Sequence, residues 1–186
     1  MENIFFDLKR LKHLGRGAIV GKAVRIRKPE DVIIGDHTII DDFTYISCAL
    51  EMGCYCHIGP NVTISGGKGR VTMRDFAGVA AGSTIHAASS EYAAASFDLP
   101  GIPEEFQAGG ITGDILFEDH VLLGSNSVVM PGVYLPEGFA STAHTVIRKA
   151  PYEPWTLYGG FACKKLCKRE HADVVELGRK LKLVRD

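Results

Sequence analysis

Aliphatic residues recur at every sixth position over most of this 186-residue chain, and that period limits the fold more than any other feature of the sequence. In residues 31–48, DVIIGDHTIIDDFTYISC, the repeated position holds Ile34, Ile40 and Ile46. The same position is filled further along the chain by Met52, Ile58, Ile64, Met73, Val79, Ile85, Phe117, Leu123, Val129, Leu135, Ser141 and Ile147. Residues six apart lie about 120° apart around an α-helix, on different faces, so the period excludes a long helix as the main element.

A second residue, two positions before the repeated one, is also apolar or small in most units, as Val32 is before Ile34. Two inward side chains separated by two residues describe a short strand, because side chains alternate between the faces of a strand. Strands this short can bury their inner face only by stacking on neighbouring coils. A sandwich or barrel would instead show longer alternating runs every 8 to 12 residues. The sequence therefore predicts an all-β solenoid.

The repeat also suggests how the chain is divided. Residues 66–69, GGKG, form a short insertion in the repeat. Residues 87–113 form a loop that is too long for a simple connector. We expect side chains of this loop, such as Phe97 and Phe106, to form a wall of the acceptor pocket. Helical spacing of apolar residues predicts helices over residues 3–15 and 163–182, the latter with Leu166 and Leu177 on its buried side. We therefore expect one domain, with an N-terminal helical segment (1–16), the solenoid (17–150) and a basic C-terminal helical segment (151–186).

Composition narrows the functional classes. The formal net charge is -1, so nothing global points to nucleic acid, and no run of 18 apolar residues predicts a membrane-spanning helix. The N-terminus lacks the features of a secretory signal, so a cytoplasmic location is expected. The five cysteines include one C-x-C but no second pair at zinc-site spacing, so reduced thiols and no metal site are expected.

Hexads of this type resemble those of the hexapeptide-repeat acyltransferases, and most closely those of the family's sugar O- and N-acetyltransferases. The similarity covers roughly residues 17 to 169. Its most specific parts are the P-G-V turn at 131–133 and the closing segment, commonly Y-x-G-N-P-A-K-x-I-K-x-R in the family, in which the matching residues are Gly160, Lys164, Leu166 and Arg169. Residues 161–163, Phe-Ala-Cys, replace the Asn-Pro-Ala of that segment. The resemblance implies a left-handed parallel β-helix and transfer of an acetyl group from acetyl-CoA to a sugar.

The resemblance also implies a homotrimer, with acetyl-CoA in the groove between neighbouring prisms. The residues that it implies for the cofactor are Gly124, Ser125, Ser141, Ala143, Lys149, Lys164 and Arg169. Eight basic and four acidic residues give segment 164–186 a charge of +4, against -5 for the rest of the chain, which favours an anionic ligand near this end. A trimer would also cover the outward apolar residues Ile33, Ile39, Tyr45, Leu122 and Tyr134.

Transfer to a hydroxyl needs a base, and histidine suits this role because its pKa is near 6.5. His86 lies where the long loop departs, a position similar to that of the base in the family's galactoside and maltose enzymes, although not in the same register. His57 is the alternative base or substrate contact, since it points outward between two inward residues, and Glu91 can orient a histidine or bind an acceptor amine. Backbone N–H groups of residues 79–82 can stabilise the negative charge on the thioester oxygen.

Several alternatives stay open at this level. The acceptor can be a hydroxyl or an amine, on a nucleotide-linked sugar or a sugar of a surface polysaccharide, or a non-sugar molecule such as serine or an antibiotic. A non-catalytic scaffold is a further alternative. A zinc-dependent γ-type carbonic anhydrase is disfavoured, because it needs two histidines five positions apart and no such pair exists here.

Overall fold

The computed structural model describes residues 3–93, 99, 101–107 and 110–183. Its short strands form six coils of three strands each. Coil 1 contains β1 (His13–Leu14), β2 (Ile19–Val20) and β3 (Arg25–Ile26). Coil 2 contains β4 (Val32–Ile34), β5 (Ile39–Ile40) and β6 (Tyr45–Ile46). Coil 3 contains β7 (Ala49–Met52), β8 (His57–Ile58) and β9 (Thr63–Ser65). Coil 4 contains β10 (Arg70–Met73), β11 (Gly78–Val79) and β12 (Thr84–His86), and is followed by a hairpin of β13 (Ala88–Ser89) and β14 (Ile111–Thr112). Coils 5 and 6 contain β15 (Ile115–Phe117), β16 (Leu122–Leu123) and β17 (Val128–Val129); and β18 (Tyr134–Leu135), β19 (Ala140–Ser141) and β20 (Val146–Ile147). The chain ends with β21 (Thr156–Gly159), β22 (Lys164–Lys168) and the helix α1 (Ala172–Leu183), and single 3-10 turns lie at Leu8–Arg10, Pro29–Asp31 and Glu104–Phe106.

Equivalent strands of successive coils pair in parallel and build three sheets along the prism. Sheet A contains β1, β4, β7, β10, β15 and β18; sheet B begins with β2, β5, β8, β11, β16 and β19; and sheet C contains β3, β6, β9, β12, β17 and β20. The chain passes from A to B to C within each coil, so the turns stack into three corners, which we name A/B, B/C and C/A. This stacking satisfies the backbone groups of strands only two to four residues long, since each pairs with the coil above and below.

The core is the inside of the prism, and the six-residue period describes it. Ile34, Ile40 and Ile46, the residues of the first repeat, are fully buried, and so are Ile64 and Phe117 further along. The pairing is in register, so like positions of neighbouring coils stack directly on one another. The predicted solenoid is confirmed.

Every coil turns its A/B corner, and every coil but the first turns its B/C corner, with a residue of left-handed backbone conformation three positions before the second inward residue. Many of these residues are not glycine: φ is +55° at His37, +65° at Phe43, +57° at Tyr55, +61° at Phe76 and +62° at His120. Because the position repeats in every coil, large side chains placed there stack along the corner instead of dispersing into solvent.

On the A/B corner this stacking produces a continuous ladder of rings. The ladder runs through His37, Tyr55, Phe76, His120, Trp155 and His171. Its centroid separations lie between 4.7 and 5.6 Å, within the range of favourable aromatic pairs. Helix α1 lies against this ladder, because a Cβ added at Gly178 would come within 3.2 Å of the Phe76 ring and 3.3 Å of the His120 ring.

The helix predicted for residues 3–15 is wrong. The structure has only the 3-10 turn Leu8–Arg10 there, followed by β1, which pairs with β4. The side-chain amide of Asn3 donates to the carbonyls of Gly21 and Val24, at 3.0 and 2.7 Å, and holds the segment against coil 1. A helix over these residues could not make these hydrogen bonds to coil 1, so they favour the extended structure over the helix that the spacing of apolar residues predicts.

The C-terminal helix is correct for its second half only. Residues 164–168 form β22, which pairs antiparallel with β21 and closes the last edge of sheet B. An unpaired edge strand exposes backbone donors and acceptors, and β22 satisfies them where a helix could not. The prediction that Leu166 and Leu177 lie on the buried side of this segment is also wrong for a single subunit, because their side chains are 55% and 63% exposed.

Candidate active site

Histidine 86 lies at the last position of β12, where the chain leaves the C/A corner to form the β13–β14 hairpin. Its Nδ1 is 2.9 Å from the Ser65 hydroxyl of the coil below, and its strand pairs with β9 at this level. The side chain is half-buried, and burial lowers the pKa of His86 below its ordinary value. The lowered pKa favours the neutral imidazole, whose Nδ1 is engaged by Ser65.

A cavity of about 410 Å³ opens beside this histidine, between the C/A corner and the base of the hairpin. Its polar lining includes Arg27, Ser47, Ser65, Lys68, Ser89 and Thr112. His86 does not itself line the cavity; Ser65 connects the two, because it lines the cavity and its hydroxyl is 2.9 Å from His86 Nδ1. Of the predicted loop residues, Phe106 is exposed and Phe97 lies outside the described residues.

Sequence reasoning missed the cations and hydroxyls of this cavity, although the repeat contains the signal. Arg27, Ser47, Ser65 and His86 each follow the second inward residue of a sheet C strand by one position. The inward residues stack in register, so the residues after them form a column down the C/A corner.

The rival histidine, His57, lies on the outer face of sheet B and away from this cavity. Its Nε2 is 2.8 Å from a carboxylate oxygen of Asp41, and the two side chains are 55% and 40% exposed. Asp41 therefore orients an accessible histidine here, and His57 is not among the described residues that line the cavity at the C/A corner. The third candidate, Glu91, accepts a hydrogen bond from the Ala93 N–H at 3.1 Å, which closes a turn of its own loop.

The small residues predicted to contact the cofactor stack on the B/C corner. A Cβ added at Gly124 would lie 2.4 Å from the carbonyl carbon of Thr142, so only glycine allows the two corners to approach so closely. The Ser125 carbonyl accepts from the His144 N–H at 2.9 Å, which places Ser125 beside the exposed Ala143 in the next coil. Ser141 differs from these residues because it is buried, with its hydroxyl 3.3 Å from that of Ser127 and 3.2 Å from the Gly124 N–H.

The three predicted cofactor cations are not brought together within one chain. Lys164 pairs with Gly159 at the end of sheet B, beside the B/C corner. Lys149 follows β20 and extends over Gly132 on the C/A corner. Arg169 lies on the A/B corner, where its guanidinium stacks on Trp155 at 5.6 Å and donates to the carbonyl of Gly138 at 2.6 Å.

Their side chains therefore differ in what they can offer a phosphate. Lys164 and Lys149 are exposed, whereas Arg169 already caps carbonyl groups of the prism. Neighbouring Lys165 and Lys168 both contact Glu153, and the hydrogen bond from Lys165 lowers the pKa of Glu153 to about 2. A phosphate at this end of one chain can meet Lys164 but not all three predicted cations.

Two of the four backbone amides predicted to hold the thioester oxygen are engaged. Ala80 N–H donates to Leu123 O and Gly82 N–H to Pro60 O, each at 3.0 Å. An amide bonded between coils cannot serve a ligand without breaking that bond. The prediction of residues 79–82 as the donor set is therefore wrong for these two groups.

The described cysteine and acidic side chains favour neither a thiol nucleophile nor a metal site. All five cysteines are free, and burial raises the pKa of Cys48 to about 11 and that of Cys56 to about 12, so these two are poor nucleophiles. Within the described parts of the chain, no group of three or more His, Cys, Asp or Glu side chains is placed to hold a metal ion. In the same ranges, no helix is long and apolar enough to cross a membrane.

Comparison with known proteins adds the functional context of this geometry. No family model matches the sequence. The chain is 29% identical over 174 residues to dTDP-4-amino-4,6-dideoxy-D-glucose acyltransferase of Escherichia coli, which covers 89% of this chain and 88% of that protein. The structure of AntD, an N-acyltransferase from Bacillus cereus in complex with dTDP and 3-hydroxybutyryl-CoA, superposes with a TM-score of 0.88 at 25% identity over 99% of this chain and 100% of AntD.

Two further structures agree with this match. A variant of AntD in complex with dTDP-4-amino-4,6-dideoxyglucose and coenzyme A gives a TM-score of 0.86 at 25% identity, over 98% and 99% of the two chains. A hexapeptide-repeat acetyltransferase of Vibrio cholerae in complex with acetyl coenzyme A gives 0.57 at 22% identity, over 87% and 73% of the chains, and this supports the fold alone.

Proposed function

We propose, from the premise that this chain belongs to the hexapeptide-repeat acyltransferase family, that it transfers an acyl group from acyl-CoA to the amino group of a nucleotide-linked sugar. The observation that carries the proposal is the near-complete structural match to an N-acyltransferase that binds dTDP and an acyl-CoA. The relative from Escherichia coli, named for a dTDP-amino sugar, supports the same acceptor class. The polar cavity beside His86 offers the acceptor a place on this chain.

An amine is a sufficient nucleophile once it is unprotonated, so the residues have to remove one proton rather than create a strong nucleophile. The amine nitrogen attacks the thioester carbonyl carbon, and His86 takes a proton from that nitrogen. The carbon–sulfur bond then breaks, and the same proton passes to the departing CoA sulfur. The neutral state of His86, a result of its burial, suits this sequence because the base must begin without a proton.

His86 is the stronger candidate because its ring is oriented and lies next to an open polar cavity that can take the acceptor. Ser65 fixes Nδ1, which leaves Nε2 as the group that meets the substrate. His57 has an orienting partner in Asp41, but it lies on another face of the prism. Glu91, near the end of the hairpin strand β13, is proposed as a contact for the acceptor amine.

For the cofactor, we propose the B/C corner as the path of the pantetheine arm. Gly124, Ser125 and Ala143 form its small-residue floor, and Lys164 at the same corner meets a phosphate of CoA. Ser141 contributes through its backbone, since its hydroxyl is engaged inside the prism. Lys149 and Arg169, on the other two corners, can meet the same cofactor only from a neighbouring subunit.

A homotrimer is therefore part of the proposal. Exposed apolar residues on two outer faces support it, including Leu122 at 44% and Tyr134 at 50% exposure. We also propose that the product sugar is used to build surface polysaccharides. The protein would then act in the cytoplasm, where acyl-CoA and nucleotide sugars are made.

Initial-rate assays test the function and separate the two histidines. The purified protein is incubated with acetyl-CoA and dTDP-4-amino-4,6-dideoxyglucose, and released CoA thiol is followed. We expect His86→Gln to lower kcat by about 10²-fold, the lower end of general-base effects, and His57→Gln to stay near the parent value. Loss of activity in His57→Gln with a normal His86→Gln would reverse the assignment, and no thiol release with any sugar would refute the proposed function.

A further inference from the structure

Buried hydroxyl groups replace aliphatic side chains on the inner side of the B/C corner in coils 4 to 6. The first inward residue of the sheet C unit is Val24 in coil 1 and Val62 in coil 3. In coils 4, 5 and 6 the same position holds Ser83, Ser127 and Thr145, all of them fully buried. A buried hydroxyl is costly unless it has a hydrogen-bond partner, so packing alone does not explain this break in the apolar repeat.

The partners of these hydroxyls are carbonyl groups of the corner itself. The Ser127 hydroxyl donates to the Gly124 carbonyl at 2.6 Å, and the Ser83 hydroxyl lies 3.3 Å from the same oxygen. The Thr145 hydroxyl donates to the Thr142 carbonyl at 2.8 Å. In a trans peptide the C=O group and the N–H group that follows it point in opposite directions. Because the hydroxyls hold these two carbonyls toward the inside of the prism, each following N–H group points outward.

The A/B corner contains the same arrangement with its outward donor already used. There the Thr38 hydroxyl donates to the Gly53 carbonyl at 2.8 Å, and the N–H of Cys54, the next residue, donates to the Asp75 carboxylate at 2.7 Å. Asp75 occupies the position of Cys54 in the next coil. An aspartate at this position therefore satisfies a donor that the corner would otherwise leave open.

On the B/C corner the equivalent donors are the N–H groups of Ser125 and Ala143, and no described residue accepts a hydrogen bond from either. The positions that correspond to Asp75 hold Ala143 and Gly160 here, whose side chains offer no acceptor. Stacked coils are about 4.8 Å apart, and the two amide carbonyl carbons of an extended pantetheine arm are about 5 Å apart. The two open donors therefore match the spacing of the two amides in the arm.

We propose that Ser127 and Thr145 are positioning residues for the cofactor, whose buried hydroxyls turn the N–H groups of Ser125 and Ala143 toward the pantetheine arm. This rests on the proposed function, which places the arm on this corner. Neither hydroxyl touches the cofactor, since both side chains are fully buried. Loss of either hydroxyl should weaken the binding of acyl-CoA through the direction of a peptide group, and should leave the acceptor and the chemical step unchanged.

Thr44 provides a matched control on the same corner. It occupies the same inward position in coil 2, is 1% exposed, and donates from its hydroxyl to the Gly59 carbonyl at 3.2 Å. The residue after Gly59 is Pro60, which has no N–H, so the Thr44 hydroxyl holds a carbonyl but directs no donor. Thr44→Val and Thr145→Val remove the same group from equivalent buried positions and should lower Tm to a similar extent.

Initial-rate kinetics separates the two roles by the KM of each substrate, acetyl-CoA and dTDP-4-amino-4,6-dideoxyglucose. Thr145→Val should raise the KM for acetyl-CoA about fivefold, the equivalent of about 1 kcal/mol for one hydrogen bond. Its kcat and its KM for the amino sugar should change less than about twofold. Thr145→Ser keeps the hydroxyl and should restore the parent KM, and Thr44→Val should keep the parent KM despite its lower Tm.

Calorimetry with CoA alone provides a second readout that needs no turnover. The parent and Thr44→Val should bind CoA equally, and Thr145→Val should bind it about fivefold more weakly. If the parent transfers acetyl groups and Thr145→Val binds CoA as tightly as the parent, this inference is overturned while the proposed function stands. An equal loss of CoA binding in Thr44→Val would reveal a general effect of stability and would overturn it as well. A parent protein that binds CoA but acetylates no sugar would refute the proposed function, and the calorimetric comparison would still decide the role of Thr145.

Discussion

Replacement of Phe76 by alanine should destabilise the protein far more than the same replacement of Phe43. Both phenylalanines occupy the left-handed corner position, with φ of +61° and +65°, so the backbone cost of alanine at such a φ is the same in both. Phe76 stacks on Tyr55 at 5.6 Å and on His120 at 4.8 Å, whereas Phe43, on the B/C corner, is 68% exposed.

The magnitude follows from the contacts that Phe76 makes. Two aromatic pairs contribute about 0.5–1.5 kcal/mol each, and Lys182, 5.3 Å above the ring, adds about 0.5–1 kcal/mol as an exposed cation–π contact. We therefore expect a difference between the two variants of about 2–3 kcal/mol. For a chain of this size that corresponds to a Tm difference of roughly 4–12 °C.

Thermal unfolding of the two variants, followed by circular dichroism, measures this difference. Hydrogen exchange adds a local readout, because α1 rests on the Phe76 and His120 rings at Gly178 and should lose protection in Phe76→Ala only. Equal Tm values for the two variants, with unchanged protection of α1, would show that the ring ladder contributes nothing to stability and would refute the reasoning.

Two further predictions concern the active site. Because burial depresses the pKa of His86 in the folded state, protonation of this group should lower kcat/KM only below about pH 6.5, beneath any acid limb that the acceptor amine contributes. The stability linked to the neutral imidazole, present at higher pH, should likewise be lost as the pH falls through the histidine range. Comparing pH–rate profiles and pH-dependent Tm values of the parent and His86→Gln checks both, and an unchanged limb below about pH 6.5 in His86→Gln would contradict the assignment. Gly124→Ala should weaken acetyl-CoA binding and lower the free energy of unfolding by about 1–3 kcal/mol, because its Cβ would overlap the next coil. The control Ser125→Ala should leave the free energy of unfolding within about 0.5 kcal/mol of the parent value. Calorimetry and denaturant titration measure these effects, and a stable Gly124→Ala variant with normal CoA binding would argue against the proposed cofactor path on the B/C corner.

The sequence predicted the prism well because each coil must place apolar side chains at the same two positions. Ile34, Ile40 and Ile46 are fully buried for this reason, and their spacing cannot be met by another regular fold. The termini were predicted less well because long-range pairing decides them. Nothing local in residues 164–168 reveals that β21 leaves an open edge for them to close.

The site was predicted in part, for reasons that the repeat makes clear. His86 could be found because it adjoins the break in the period, whereas Arg27 is 59 positions away from it in the sequence and joins it only through the stacking of coils. Linear charge was a poorer guide, since the cations Lys149, Lys164 and Arg169 are close in sequence but lie on three different corners. A corner can be assigned from sequence only after the register of every coil is known.

The most direct test of the whole account is the structure of the product formed from acetyl-CoA and dTDP-4-amino-4,6-dideoxyglucose by the purified protein. Mass spectrometry and NMR should show one acetyl group per sugar, bound to the amine nitrogen as an amide, with one CoA released for each product molecule. An unmodified amine, or an acetyl group found only on a hydroxyl, would contradict acyl transfer to the amino group of a nucleotide-linked sugar.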